Sequence, residues 1–307
     1  MKSDTRLILM FTIVITILAC AGCSWKSKTS EDASYEAEDN SLVTSTEEKN
    51  RIAPLEIEVD YGEYFEGLTG TAVFYSNNDE VYYIYNKELA EQPSSPCSSF
   101  KIISCLMGLE SKVIDPSNSI IKWKGTVYPV QDWNKDMDYK QAFTSSCIWY
   151  YREIIDLVGK GYIQNTLDKL DYGNRDISEW EGSLNNLVFP DLKAFKEING
   201  FWQESSLQIS PKQQVDVVRR IFEDKDVFNE KNLDLIKEAM LIDNSNSNIQ
   251  IYGKTGSGIK DETWSDAWFV GMFKKDNETT YCAVRLNNPE ARGSKAKEVA
   301  INIINGQ

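Results

Sequence analysis

Runs suited to strands stand at both ends of the chain, and runs suited to helices fill its middle. Residues 69–76 (TGTAVFYS) and 80–86 (EVYYIYN) are aromatic and β-branched, and Asn77, Asn78 and Asp79 between them predict a hairpin. Strand-type runs return at 249–256 (IQIYGKTG), 267–275 (AWFVGMFKK) and 279–288 (TTYCAVRLNN). Between the two groups, 99–111, 139–158 and 211–224 carry apolar residues at helical spacing. The last of these has Ser210 placed as N-cap and Pro211 at the first helical position. A final helix is expected over 294–304. Such an order predicts a mixed α/β domain whose antiparallel sheet is completed by both ends of the domain. The central helices then form a second lobe, and a site is expected at the seam.

Of 307 residues, 41% are hydrophobic and the net charge is −14. That is enough apolar material for a sizeable core, and too acidic a balance for a nucleic-acid binder. The chain has no histidine. Ser-His-Asp triads, Cys-His dyads and nearly all catalytic zinc sites are thereby excluded, so a hydrolase of this sequence needs another base.

Residues 1–23 read as an export leader. Lys2 and Arg6 precede an apolar run of twelve (LILMFTIVITIL, 7–18) and then ACAGC. The small residues before cysteine resemble a bacterial lipoprotein box, with Cys23 the expected lipidated residue and Cys20 the second choice. An uncleaved single-span anchor is the alternative, and either places the domain outside the cytoplasm on the outer face of the cell membrane. Residues 24–51 are rich in Ser, Thr and Glu, a composition expected of a disordered tether. Residues 52–307 make the folded domain. Its four cysteines, Cys97, Cys105, Cys147 and Cys282, show no CxxC pairing and are expected to be small buried hydrophobes; no metal or cofactor is implied.

Four S-x-x-K pairs occur: Ser98–Lys101, Ser119–Lys122, Ser257–Lys260 and Ser294–Lys297. Only the first opens an otherwise apolar helix (FKIISCLMGL), which points Lys101 inward. Residues three apart share a helix face, so hydroxyl and amine can meet. Neutralising a lysine of ordinary pKa near 10.4 at pH 7 costs roughly 4 to 5 kcal/mol, a shift that apolar burial can supply. A neutral amine there can take the serine proton or combine with carbon dioxide as a carbamate. Downstream, Ser146 stands at the head of an apolar helical run (SSCIWYY), and Lys254, Thr255 and Gly256 stand on a strand about to turn (YGKTGSG). S-x-x-K, S-x-x and K-T-G in this order are the motif set of penicillin-recognising serine enzymes. Ser98 fits a nucleophile and Ser146 a proton relay. Lys254 and Thr255 offer charge and hydroxyl to an anionic group, and Gly256 lets substrate lie against the strand.

Further segments resemble class D β-lactamases, the oxacillinases. They are PCSSFKI, SCIWYY, DYGNRDIS (171–178), GFWQESSLQISPKQQV (200–215) and AWFVGMF, so the resemblance runs over about 52–307. It implies a β-lactam as small-molecule substrate, opened through a Ser98 acyl-enzyme with a carboxylated Lys101 as base in both half-reactions. By the same resemblance Trp202 hydrogen-bonds the carbamate, and Ile148, at a position where the family has valine, shields it. Ser98 and Ser257 supply backbone N–H groups to an oxyanion hole, and Arg292 binds the substrate carboxylate. Tyr172 and Asn174 are expected to hold structure. Two positions depart from the pattern: Gln203 follows Trp202 where an apolar residue is usual, and Cys97 precedes the nucleophile.

Three rival readings differ in class. Membrane β-lactam sensors share these motifs and stay acylated; they carry a polar residue where this chain has Ile148, and they need several membrane spans. Transpeptidases of the cell wall typically have S-x-N as second motif and lack the F-W-x-E segment. A surface adhesin without catalysis has no feature in its favour. The sequence therefore reads as a serine hydrolase of β-lactams that confers antibiotic resistance.

Overall fold

A computed structural model describes residues 53–179, 200–224, 226–242, 248–260, 263–289 and 291–306. The expected leader, the Cys20 and Cys23 lipidation sites and the polar tether lie outside these residues.

Seven strands form one sheet: β1 (Leu55–Glu58), β2 (Gly70–Ser76), β3 (Val81–Tyr85), β4 (Leu241–Ile242), β5 (Ile249–Lys260), β6 (Thr263–Lys275) and β7 (Glu278–Leu286). Their spatial order is β1-β3-β2-β7-β6-β5-β4. All neighbours are antiparallel except β1, which adds to β3 in parallel at the edge. The join between the two ends of the domain is β2 on β7, with Gly70 opposite Leu286 and Ser76 opposite Thr280. The expected hairpin is β2–β3.

Period-2 alternation sends successive side chains to opposite faces of this sheet. On β2, Val73 and Tyr75 join the large core of the helical lobe, while Ala72 and Phe74 join a smaller core on the other face. Trp268, Val270 and Met272 of β6 divide from Ala267, Phe269 and Phe273 in the same way. Helix α9 (Gly293–Gly306) covers the smaller core with α1 (Gly62–Phe65). The larger core is built by α2 (Lys87–Glu91), α3 (Lys101–Glu110), α4 (Tyr139–Thr144), α5 (Ile148–Val158), α6 (Lys160–Leu170), α7 (Pro211–Glu223) and α8 (Glu230–Met240). A short 3₁₀ turn, Cys97–Phe100, leads into α3. Helix α7 begins as expected: Ser210 caps Gln213 N–H and the Gln213 side chain answers the Ser210 N–H.

One expectation is corrected. Residues 139–158 form two helices, not one, and the break falls on Ser145–Cys147. Helix α4 is opened by a capping box of Asp138 and Gln141 and closes after Thr144, where Ser146 takes φ 58°. The apolar spacing continues across the break because both helices bury the same side, so periodicity alone reads through it. Helices α6 and α8 and strands β1 and β4 were not expected. Asn229, whose side chain caps Asn232 N–H, is the readable start of α8.

Beneath the seam lies a buried polar cluster. Asp266 of β6 accepts from Arg285 Nε at 2.7 Å, from Ser94 Oγ at 2.6 Å and from Asn287 Nδ2 at 3.2 Å. Arg285 also donates to Gln92 O and lies over the Trp268 ring. Removing one member leaves a charge without its partner in a dry interior. Asp266→Ala is expected to destabilise the fold by about 3 to 5 kcal/mol, read from urea denaturation.

Candidate active site

The 3₁₀ turn places Ser98. Pro96 and a left-handed Cys97 (φ 51°) bend the chain so that Ser98 meets the first residue of α3. Cys97 N–H donates to Trp202 O at 2.9 Å, tying the F-W segment to the residue before Ser98. Lys101 Nζ donates to Ser98 Oγ at 2.8 Å, and Lys101 is 0% exposed. Burial without a carboxylate neighbour pushes the amine down from its usual 10.5 to about 7. The thiols of Cys97 and Cys147 supply no counter-charge, because burial pushes both up, Cys147 to about 12.

Ser146 sits on the break between α4 and α5. Trp133 Nε1 donates to Ser145 O at 2.9 Å, and Cys147 N–H donates to Ala142 O at 2.8 Å, so the bend is held on both sides. Lys254 Nζ reaches across from β5 to Ser146 Oγ at 3.0 Å and also meets Thr255 O at 3.0 Å. Among the described residues no carboxylate pairs with Lys254. Burial, then Lys101, then Lys297 hold its amine well below the ordinary lysine value. Two buried amines near one another favour any anion that enters.

Gly256 brings β5 against the nucleophile turn. A Cβ there would stand 3.0 Å from Pro96 O, 3.1 Å from Ser99 N and 3.3 Å from Ser98 N, so a side chain would close the approach. Ser257 Oγ accepts from Gly293 N–H at 2.9 Å and fixes the start of α9 beside the strand. Arg292 is exposed and its guanidinium lies 4.8 Å over the Trp264 ring, at the rim. A cleft of about 220 Å³ opens between these parts, lined by Ser98, Ser146, Ile148, Gln203, Thr255, Gly256 and Ser257 among others.

The structure thus gathers Ser98, Lys101, Ser146, Lys254, Thr255, Gly256 and Ser257 at one seam and puts Ile148 in the cleft wall. Trp202 is fully buried behind it, stacked on Phe100 at 5.8 Å between ring centroids. Among the described residues, its indole Nε1–H meets no acceptor. Tyr172 is buried against Phe100, and Asn174 bonds Ser206 O and Gln208 N–H, both structural roles as expected. The four body cysteines are free and buried. Sequence reasoning passed over Val130, Trp133, Ile259 and Trp264, which complete the apolar wall. Ile259 and Trp264 face each other beyond a register shift after Ser257, which nothing short of the strand pairing reveals. Of the other S-x-x-K pairs, Lys122 is solvated and paired with Asp136, and Ser119 is spent on Tyr139 N–H.

A serine on a buried lysine, a second serine on a second lysine and a glycine-floored strand define the class of active-serine penicillin-recognising proteins. Residues 67–305 match the family model described as penicillin binding protein transpeptidase domain. The chain is 30% identical over 248 residues to the regulatory protein BlaR1 of Bacillus licheniformis, covering 80% of this chain and 38% of that one. It is 30% identical over 249 residues to β-lactamase OXA-1 of Escherichia coli, covering 78% and 86%. Among solved structures, the C-terminal domain of the Bacillus licheniformis BlaR penicillin-receptor superposes with TM-score 0.72 at 29% identity, covering 83% of this chain and 98% of that one. A class D β-lactamase from Bacillus subtilis does so with TM-score 0.70 at 25% identity, covering 81% and 95%. The chain belongs to the penicillin-binding transpeptidase domain family, together with class D β-lactamases and penicillin-receptor domains. It spans less than half the length of the BlaR1 relatives it matches.

The buried amine has a consequence for stability. Its folded value, about 7, lies below that of the exposed amine, so from pH 7 to 10 the unfolded chain binds more protons. Stability contributed by this group therefore rises with pH across that window, and the penalty is complete below pH 7. At neutral pH it amounts to about 4 kcal/mol. In bicarbonate-depleted buffer, Lys101→Met is expected to raise unfolding free energy at pH 7 by roughly 1 to 3 kcal/mol, part of that penalty. The gain should shrink toward pH 10, and urea titrations at both pH values measure it.

Proposed function

We propose that the chain is a serine β-lactamase of the class D kind. Ser98 Oγ attacks the lactam carbonyl carbon, its proton leaves to the base at Lys101, and the ring C–N bond breaks. Ser146, bonded to Lys254, passes a proton to the departing nitrogen. Lys254, Thr255 and Arg292 draw the substrate carboxylate toward the β5 side, where the Ser98 and Ser257 N–H groups face the carbonyl oxygen. Water then attacks the ester carbon, and the Ser98 C–O bond breaks with its proton restored.

The observation that carries turnover is the unpartnered Trp202 Nε1–H. Buried indole donors find a partner, and a carboxylated Lys101 supplies an oxygen acceptor there. Neutral Lys101 bonds to the carbon of carbon dioxide and releases one proton. The resulting carbamate, when present, provides a basic oxygen near Ser98. Trp202 holds that group and Ile148, 5% exposed in the cleft wall, keeps water from protonating it. Retained acylation, as in a penicillin receptor, is the second reading, and the likeness to the BlaR domain favours it. The apolar Ile148 favours turnover. Beyond the domain, we read Cys23 or Cys20 as a lipid-anchored start that tethers it to the outer face of the membrane.

The deciding test mixes residues 52–307 with a chromogenic cephalosporin and a penicillin, with and without bicarbonate. Repeated turnover raised by bicarbonate is expected; one stoichiometric burst would make the domain a receptor. With ¹³C-bicarbonate, a carbamate carbon signal should appear, vanish in Lys101→Met and weaken in Trp202→Phe.

A further inference from the structure

Gln203 is 2% exposed and lines the cleft beside Ser98 and Ile148. Its backbone N–H is used on Gly200 O at 3.0 Å, and the preceding Trp202 carbonyl is pinned to Cys97 N–H. The residue is therefore fixed one step from the nucleophile turn. Its side-chain oxygen is buried and, among the described residues, meets no donor. Buried amide oxygens in folded proteins are nearly always bonded, and an orphan beside a cleft that also holds serine hydroxyls is where an ordered water binds. A structural glutamine would spend its oxygen on backbone N–H groups, and this one does not.

The two orphans differ in sign. Trp202 Nε1–H needs an acceptor and Gln203 Oε1 needs a donor, and they are adjacent in the chain. A water is a donor that fits the second.

We propose that Gln203 Oε1 holds the water that cleaves the acyl-enzyme, a role that rests on the hydrolase reading above. One water O–H donates to Gln203 Oε1 while the other faces the base at Lys101. The water oxygen bonds to the ester carbonyl carbon, its second proton passes to the base, and the carbon–oxygen bond to Ser98 breaks with Ser98 Oγ taking a proton back. The residue acts in deacylation only, because acylation uses Ser98 itself as nucleophile.

The test separates the two half-reactions in Gln203→Leu and in Gln203→Met, which keeps the side-chain length and removes the acceptor. Acylation is followed by stopped-flow and the acyl-enzyme by intact-protein mass spectrometry, with thermal unfolding to verify folding. Deacylation is expected to fall roughly tenfold in both variants, the scale of one lost hydrogen bond, with acylation within about twofold. Acyl-enzyme should then accumulate during turnover. Wild-type turnover with unchanged deacylation in both variants overturns the role of Gln203 and leaves the hydrolase reading standing. Equal losses in acylation and deacylation also overturn it, since they mark a residue that shapes the cleft. A wild-type protein that stays acylated overturns both.

Discussion

The structure depends on a primary amine held dry against a serine hydroxyl. Lys101 is 0% exposed and, among the described residues, meets Ser98 Oγ at 2.8 Å with no carboxylate beside it. An amine in such a place resists protonation, and under the proposed function that resistance stands in for imidazole in a chain without histidine. The surrounding features keep bulk solvent from it. The Cys97–Trp202 bond lies on one side, the aromatic stack of Phe100 and Trp202 on another, and Ile148 lines the cleft. The fold bears a standing electrostatic penalty at this point, of the kind stored at functional sites and offset by packing elsewhere. Much of that packing is the large shared core of the helical lobe and the sheet.

Charge is distributed to match. The chain carries −14 overall, yet Lys101 and Lys254 stand at the seam, with Lys297 near enough to bear on Lys254 and Arg292 at the rim. A local cationic site in an acidic protein concentrates its field on the cleft.

Much of this was legible in the residues, for definable reasons. Alternation in 69–76 and 267–275 and helical spacing in 99–111 survive because each segment has one buried side or a clear length. The three motifs were legible because they are contiguous. The Ser146 break was hidden, since the apolar pattern runs straight through it and the bonds that hold the bend, from Trp133 and from Cys147, appear only in three dimensions. Val130, Ile259 and Trp264 were hidden for a related reason: an apolar residue lining a cleft looks the same in sequence as one filling a core. Gln203 stood out as a polar residue in an apolar position, but its orphaned oxygen is visible only in three dimensions.

The pairing of β2 with β7 bears on when the site can exist. The nucleophile helix is synthesised in the first half of the domain, while the strand carrying Lys254 and Gly256 and the helix start carrying Arg292 come last. Until β7 docks on β2, the sheet has two open fragments and the Ser98 turn lacks its facing wall. Such non-local closure is slow, and it makes chemical competence coincide with the end of folding. Under the proposed function, a nascent or truncated chain would carry Ser98 without the wall that faces it, and would stay inert toward acylating compounds until the last strand is in place.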